Sequence, residues 1–173
     1  SIFKSSEKER YIITSITLGL TKTPMQPPFY KKKKKYLTKN NVTYYDPKTI
    51  RDAVIAIRAN RLPNPKIHPN AGSFFKNPII EKWVLDEAQE NHSDMPAYDM
   101  GNNKFKVPAG WLIEQVDMKD YTAHNLKTYK NNSLVVVNDN NANYEDLKEF
   151  RSEIITAVRD EFRIELQQEP IEL

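Results

Sequence analysis

Apolar and polar positions alternate along "ERYIITSITLGL", residues 9 to 20. Ile12, Ile16, Leu18 and Leu20 share one parity with Thr14, while Tyr11, Ile13, Ser15 and Thr17 share the other. A period of two, rich in β-branched residues, predicts a strand. "TKTPMQPPFY" then breaks the pattern with three prolines, so residues 21 to 43 are expected to be irregular. At Asp46-Pro47 the period changes to that of a helix. Asp46 reads as the N-cap and Pro47 as the first helical residue. Ile50, Val54 and Ile57 recur at four and three residues, and Pro63 ends the segment.

Residues 79 to 90, "IIEKWVLDEAQE", predict a second helix, and residues 107 to 116, "VPAGWLIEQV", a third with Pro108 near its start. "SLVVVN", residues 133 to 138, reads as a short buried strand. The last helix has the clearest pattern. Asn143 caps it, and Leu147, Phe150, Ile154, Val158 and Phe162 follow at spacings of three, four, four and four. "RIEL", residues 163 to 166, is expected to return as a strand. Strands and helices mix without a regular βαβ beat. This predicts an α+β fold, a mixed sheet with packed helices, rather than a doubly wound one.

Composition narrows the picture. With 39% hydrophobic and 28% charged residues over 173 positions, the chain can bury a core and is not globally disordered. It has no cysteine, which excludes disulfides and thiolate metal sites. His68, His92 and His124 lie far apart without ligand spacing, so no metal is expected. The net charge of +3 comes mostly from the run Lys31 to Lys35, which reads as a solvated basic loop. No nucleic-acid motif accompanies it. No apolar stretch approaches the roughly 20 residues a membrane span needs, and "SIFKSSEKER" lacks a signal-peptide core. A cytoplasmic protein with neither nucleic-acid nor membrane partners is expected. Ser1 opens the chain without a methionine, so it reads as a piece of something longer.

The chemistry concentrates in "NPKIHPNAGSFFKNP", residues 64 to 78, which holds three of the eleven prolines and one of only four glycines. Glycine inside a strand-like stretch marks a bulge or a close approach of the backbone. Taken alone, the Ser73 hydroxyl would be a loop group bonded to its own backbone. Arg58 and Arg61 suit the end of a helix dipole.

Several motifs carry a resemblance. "NAGSFFKNP" (70 to 78), "RLPNPK" (61 to 66), "AGWLIEQ" (109 to 115) and "LVVVN" followed by Asn141-Ala142 resemble the C-terminal part of the UDP-N-acetylenolpyruvoylglucosamine reductase family, MurB. "SIFK" and "RYIIT" resemble the segment just before it. The resemblance implies an NADPH- and FAD-dependent oxidoreductase of peptidoglycan synthesis that reduces the enolpyruvyl ether of UDP-N-acetylglucosamine enolpyruvate. It implies that residues 1 to 22 are a terminal strand left from a missing FAD-binding portion. Residues 23 to 45 would then be an irregular basic loop, and 46 to 173 the substrate-binding domain. FAD and NADPH would belong to the intact parent. This chain alone would hold no cofactor and be inactive.

By the same resemblance Ser73 is the proton donor, and Glu169 settles the enol-side intermediate or orients a catalytic water. Glu165 and Glu172 are nearby alternatives. Tyr30 matches the tyrosine that closes over the diphosphate, Arg58 and Arg61 the basic residues around it, and Asn77 a nucleotide-binding asparagine. Lys119 matches a further lysine, and Asn132 falls where the family often has glutamine. Residues 120 to 133, "DYTAHNLKTYKNNS", depart from the family by lacking its glycine-rich turn. A non-catalytic UDP-sugar-binding module of the same fold is the alternative reading.

Overall fold

The computed structural model describes every residue except Ser1, Ser5, Lys8, Glu9 and Leu173. Ser1 and Glu9, which open the chain and the expected first strand, lie outside the described residues. The chain divides into two compact units, Ser1–Asp52 and Ala53–Leu173. The division falls within the helix Pro47–Arg61.

In the first unit, residues 11 to 20 enter no ladder. Ile12 is 88% exposed and Leu20 90%. The expected strand is therefore not formed among the described residues. Alternation prepares a segment for pairing, but a ladder also needs a partner for its N–H and C=O groups. A second correction concerns the expected loop at 23 to 45, which contains helix α1, Lys31–Lys39. Lysine loses little side-chain freedom in a helix, and Leu37 supplies a buried anchor. Phe29 meets Tyr45 edge-on at 4.8 Å, and Lys33 lies 5.7 Å from the Phe29 ring centre. Helix α2, Pro47–Arg61, starts as its sequence predicts. The Thr49 N–H donates to Asp46 Oδ1 at 2.8 Å. That bond holds the Asp46 carboxyl below its ordinary range.

The second unit has the expected α+β class. Its strands form two antiparallel sheets instead of one mixed sheet: sequence neighbours joined by short turns can only run antiparallel, and the ladders between distant segments run antiparallel too. One sheet contains β1 (Asn70–Ser73), β5 (Thr122–Ala123), β6 (Leu126–Tyr129) and β7 (Asn132–Val137), in the order β1-β7-β6-β5. The other contains β2 (Ile79–Glu81), β3 (Tyr98–Asp99) and β4 (Lys104–Lys106), in the order β2-β4-β3. Residues 79 to 81 were expected to begin a helix. They pair with β4 instead, Ile79 opposite Lys106 and Glu81 opposite Lys104, as two adjacent β-branched residues after a proline favour. Helix α3 follows at Lys82–Asn91, and α4 occupies Ala109–Gln115.

Helix α5, Tyr144–Phe162, carries the core. Phe150, Ile154, Val158 and Phe162 are all buried and pack with Leu112 and Ile113 of α4 and Val136 of β7. Its start is a capping box. Asn143 Oδ1 accepts from the backbone of Glu145 and Asp146, and Asp146 returns a bond to the Asn143 N–H. Arg163, with φ of 56°, turns the chain out of the helix. The strand expected at 163 to 166 does not pair, although Ile164 and Leu166 are buried in alternation. Pairing comes later, in a single antiparallel bridge between Phe75 and Gln168.

Candidate active site

β1 is irregular where the chemistry is expected. Asn70 faces Val137 and Ser73 faces Val135, so one extra residue bulges from β1 between them. Gly72 sits in that bulge with φ of 76°, a backbone state that side chains disfavour. A Cβ there would meet open space, so the backbone angle, not crowding, requires glycine. The Gly72 N–H donates to Asn70 Oδ1 at 3.0 Å. Beyond the bulge, Phe74 and Phe75 are buried with ring centres 5.1 Å apart. Ser73, between bulge and anchor, is exposed.

The C-terminal segment returns beside this point. The Glu169 N–H donates to Phe74 O at 2.7 Å, and the Lys76 N–H to Gln167 O at 2.8 Å. These bonds bring Glu169 opposite the residue that follows Ser73. Lys76 Nζ lies 4.0 Å from Glu169 Oε2. A cavity of about 330 Å³ opens beside them, lined by Lys76, Asn77, Pro78, Ile79, Glu165 and Gln167.

Asn77 is tied to the start of α4, where its Oδ1 accepts from the Ala109 N–H at 2.9 Å. That bond leaves its amide group as the donor available to a ligand. One residue on, Gly110 allows α4 to lie against β7. A Cβ there would stand 3.4 Å from Leu134 Cγ and Ser133 Oγ. Ser133, buried, donates to Gly110 O at 2.9 Å and reaches Glu114 Oε1 at 3.4 Å. The other Glu114 oxygen takes Lys119 Nζ at 3.3 Å. Asn132 precedes Ser133 at the head of β7. Its other neighbour, Asn131, donates to Asn60 O at 2.8 Å, near the end of α2. Arg58 and Arg61 are exposed in that last turn. Arg61, Lys119 and Asn132 are thus linked, through neighbours, around one end of β7. Ser73 stands opposite Val135 of the same strand, with Glu169 bonded to the residue that follows it. Tyr30 belongs to the first unit, immediately before α1, and is exposed.

The glycine-free stretch at 120 to 133 is well formed. Ala123 faces Leu126, so His124 and Asn125 make a two-residue turn, with φ of 49° and 59°. Both angles are those of a type I′ hairpin. Asparagine tolerates them, and His124 is held by two carboxylates, its Nε2 2.9 Å from Glu153 and its Nδ1 3.0 Å from Glu149.

Lys76 and Glu114 were not expected beside the candidate residues: Lys76 stands inside the motif one residue before Asn77, whereas Glu114 meets Ser133, distant in sequence, and no spacing announces it. Among the described residues no group of three or more histidines and carboxylates could hold a metal, and no helix is long and apolar enough to cross a membrane. The described residues also offer no glycine-built phosphate cradle. A Cβ at Gly19, Gly72 or Gly101 would touch nothing, and Gly110 backs onto its own core.

Comparison with known proteins identifies the family. The family model described as UDP-N-acetylenolpyruvoylglucosamine reductase, C-terminal domain, matches residues 64–173. A UDP-N-acetylenolpyruvoylglucosamine reductase from Flavobacterium johnsoniae is 38% identical over 170 residues, covering 98% of this chain and 50% of the relative. Proteins of the same name from Aliivibrio fischeri and Photorhabdus laumondii are 37% and 38% identical, each over 98% of this chain. The chain spans about half the length of the curated relatives it matches.

Proposed function

The chain belongs to the UDP-N-acetylenolpyruvoylglucosamine reductase family, in its C-terminal domain, and from that premise we propose that it is the substrate-side half of such a reductase. The substrate is the enolpyruvyl ether of UDP-N-acetylglucosamine, and the product UDP-N-acetylmuramate, a cytoplasmic precursor of peptidoglycan. The observation that carries this reading is the 2.7 Å bond from the Glu169 N–H to Phe74 O. It seats a carboxylate residue beside the segment that carries Ser73, a pairing that a simple sugar-nucleotide binder does not need.

Reduction adds a hydride to C3 of the enol ether and a proton to C2. FAD, held by the part of the relatives that this chain does not cover, would supply the hydride if bound there. Ser73 supplies the proton. A serine hydroxyl is a weak acid, so the site must stabilise the alkoxide it leaves. Fixed donors and a cation in a cleft closed from water do this, and Lys76 is the cation carried on the same segment. Glu169 orients the proton's path or a water that replaces it. Asn77, Arg58, Arg61, Lys119 and Asn132 hold the UDP group. Guanidiniums suit a diphosphate because they donate paired, charge-assisted bonds. Residues 11 to 20 would find their strand partner in the part of the relatives that this chain does not cover, which accounts for the exposed Ile12, Ile16, Leu18 and Leu20.

Titration of the chain with UDP-N-acetylglucosamine, followed by amide NMR, tests the substrate half of the proposal. With only part of the cleft present, binding is expected between about 1 mM and tens of micromolar, roughly 4 to 7 kcal/mol. Asn77 and Arg61 should shift. Amides there that stay fixed at several millimolar ligand contradict the assignment.

A further inference from the structure

The C-terminal segment around Glu169 is fastened on both sides by one side chain of α5. Arg151 Nη1 donates to Gln168 Oε1 at 2.5 Å, and also to Glu172 Oε1. Gln168 Nε2 in turn donates to Pro170 O at 3.1 Å and to Glu172 Oε1 at 3.0 Å. Tyr144, in the first turn of α5, donates from its hydroxyl to Glu172 Oε2 at 2.8 Å. Arg151 follows the buried Phe150, and its own side chain is only 19% exposed. Gln168 is also the residue that bridges Phe75, directly after the Ser73-Phe74 pair.

A chain end with few internal bonds ordinarily frays. Here the residue before Glu169 and the third residue after it are both tied to the same guanidinium, and Glu169 itself is tied by its N–H to Phe74. An arginine suits this task because its planar fork can serve two acceptors at once in fixed geometry. Surface ion pairs contribute little to stability, so the value of this one lies in where it holds the chain. We infer that Arg151 is a positioning residue. It acts through Gln168 and Glu172 to fix the backbone at Glu169, and so to keep the Glu169 carboxylate in register with Ser73. This rests on the proposed role of Glu169 in proton delivery.

The test uses the full-length enzyme and compares Glu169→Gln, Arg151→Met, Arg151→Lys and the Arg151→Met/Glu169→Gln pair. Stopped-flow absorbance follows flavin reoxidation by the enolpyruvyl substrate, and hydrogen exchange follows the Glu169 amide. Glu169→Gln should slow reoxidation by at least about a hundredfold. Arg151→Met should slow it by about 10- to 100-fold, the effect of a displacement near 1 Å. The substrate concentration for half-saturation should change by less than about threefold, as for a group that acts only on geometry. Arg151→Lys should recover part of the rate, and the double variant should be no slower than Glu169→Gln alone, since both act through one group. Arg151→Met should also quicken exchange of the Glu169 amide by at least about tenfold. If Glu169→Gln slows reoxidation while Arg151→Met leaves rate and exchange within about twofold of the parent, the positioning role is wrong and the reading of Glu169 stands. If Glu169→Gln itself leaves the rate unchanged, both fail.

Discussion

At Gly72 a single backbone angle decides what the sequence must be. With φ of 76° and open space where a Cβ would stand, alanine there meets no clash and only the cost of the left-handed backbone. Gly72→Ala should therefore destabilise the chain by about 1–2 kcal/mol, read as a lower urea midpoint with an unchanged slope. A midpoint equal to the parent's would show that the bulge relaxes freely and does not hold Ser73. The neighbouring residues were largely legible. A scarce glycine in a strand-like stretch pointed to a bulge, and Gly72 does sit in one. What the residues alone did not reveal was the use of Asn77, whose side chain binds a helix start 32 positions away. Such a bond leaves no local pattern.

Among the elements, those with a long 3.6-residue period were read well, and short or partnerless ones were not. Helices α2 and α5 announced themselves by caps and apolar stripes. Helix α1 did not, because five lysines give no stripe while still favouring the helical backbone. Residues 11 to 20 carried a strand's alternation without a partner among the described residues. The hairpin of β5 and β6 illustrates a third case, a turn without glycine that is held by side chains instead. His124 faces Glu149 and Glu153, with Asp146 further along α5, and Tyr121 donates to Glu153 at 2.7 Å while stacking on Phe150. The bond to Glu153 raises the His124 pKa above its ordinary 6.5. The bond from His124 lowers that of Glu153 below its ordinary 4.5. The histidine's contribution is whole below pH 6.5 and is lost as pH rises through its raised pKa. The glutamate's is whole above pH 4.5 and is lost as pH falls through its lowered one. The clamp is therefore complete between these two values. His124→Gln should cost more stability at about pH 6 than at about pH 9, since the histidine's contribution is lost as pH rises through its raised pKa. Urea melts at both values check this, and an equal cost at both contradicts the clamp.

For the whole molecule, the α+β class and the family were legible because the motif at 70 to 78 and the one at 109 to 115 occur together, and the fold brings them into contact through Asn77 and Ala109. The sheet count and the pairing partners were not legible, since antiparallel register depends on contacts between distant residues. The central claim is that this half of the protein delivers the proton while another half delivers the hydride. Ser73→Ala in the full-length enzyme separates the two, because it removes one hydroxyl from an exposed position and touches neither the nucleotide contacts nor the electron path. Stopped-flow absorbance resolves flavin reduction by NADPH from reoxidation by the enolpyruvyl substrate. Reduction should stay within a few-fold of the parent, and reoxidation should slow by at least about a hundredfold, the lower range for a positioned general acid. Reoxidation that remains within a few-fold of the parent would contradict the account and leave the loop at 70 to 78 as a nucleotide-binding or packing element.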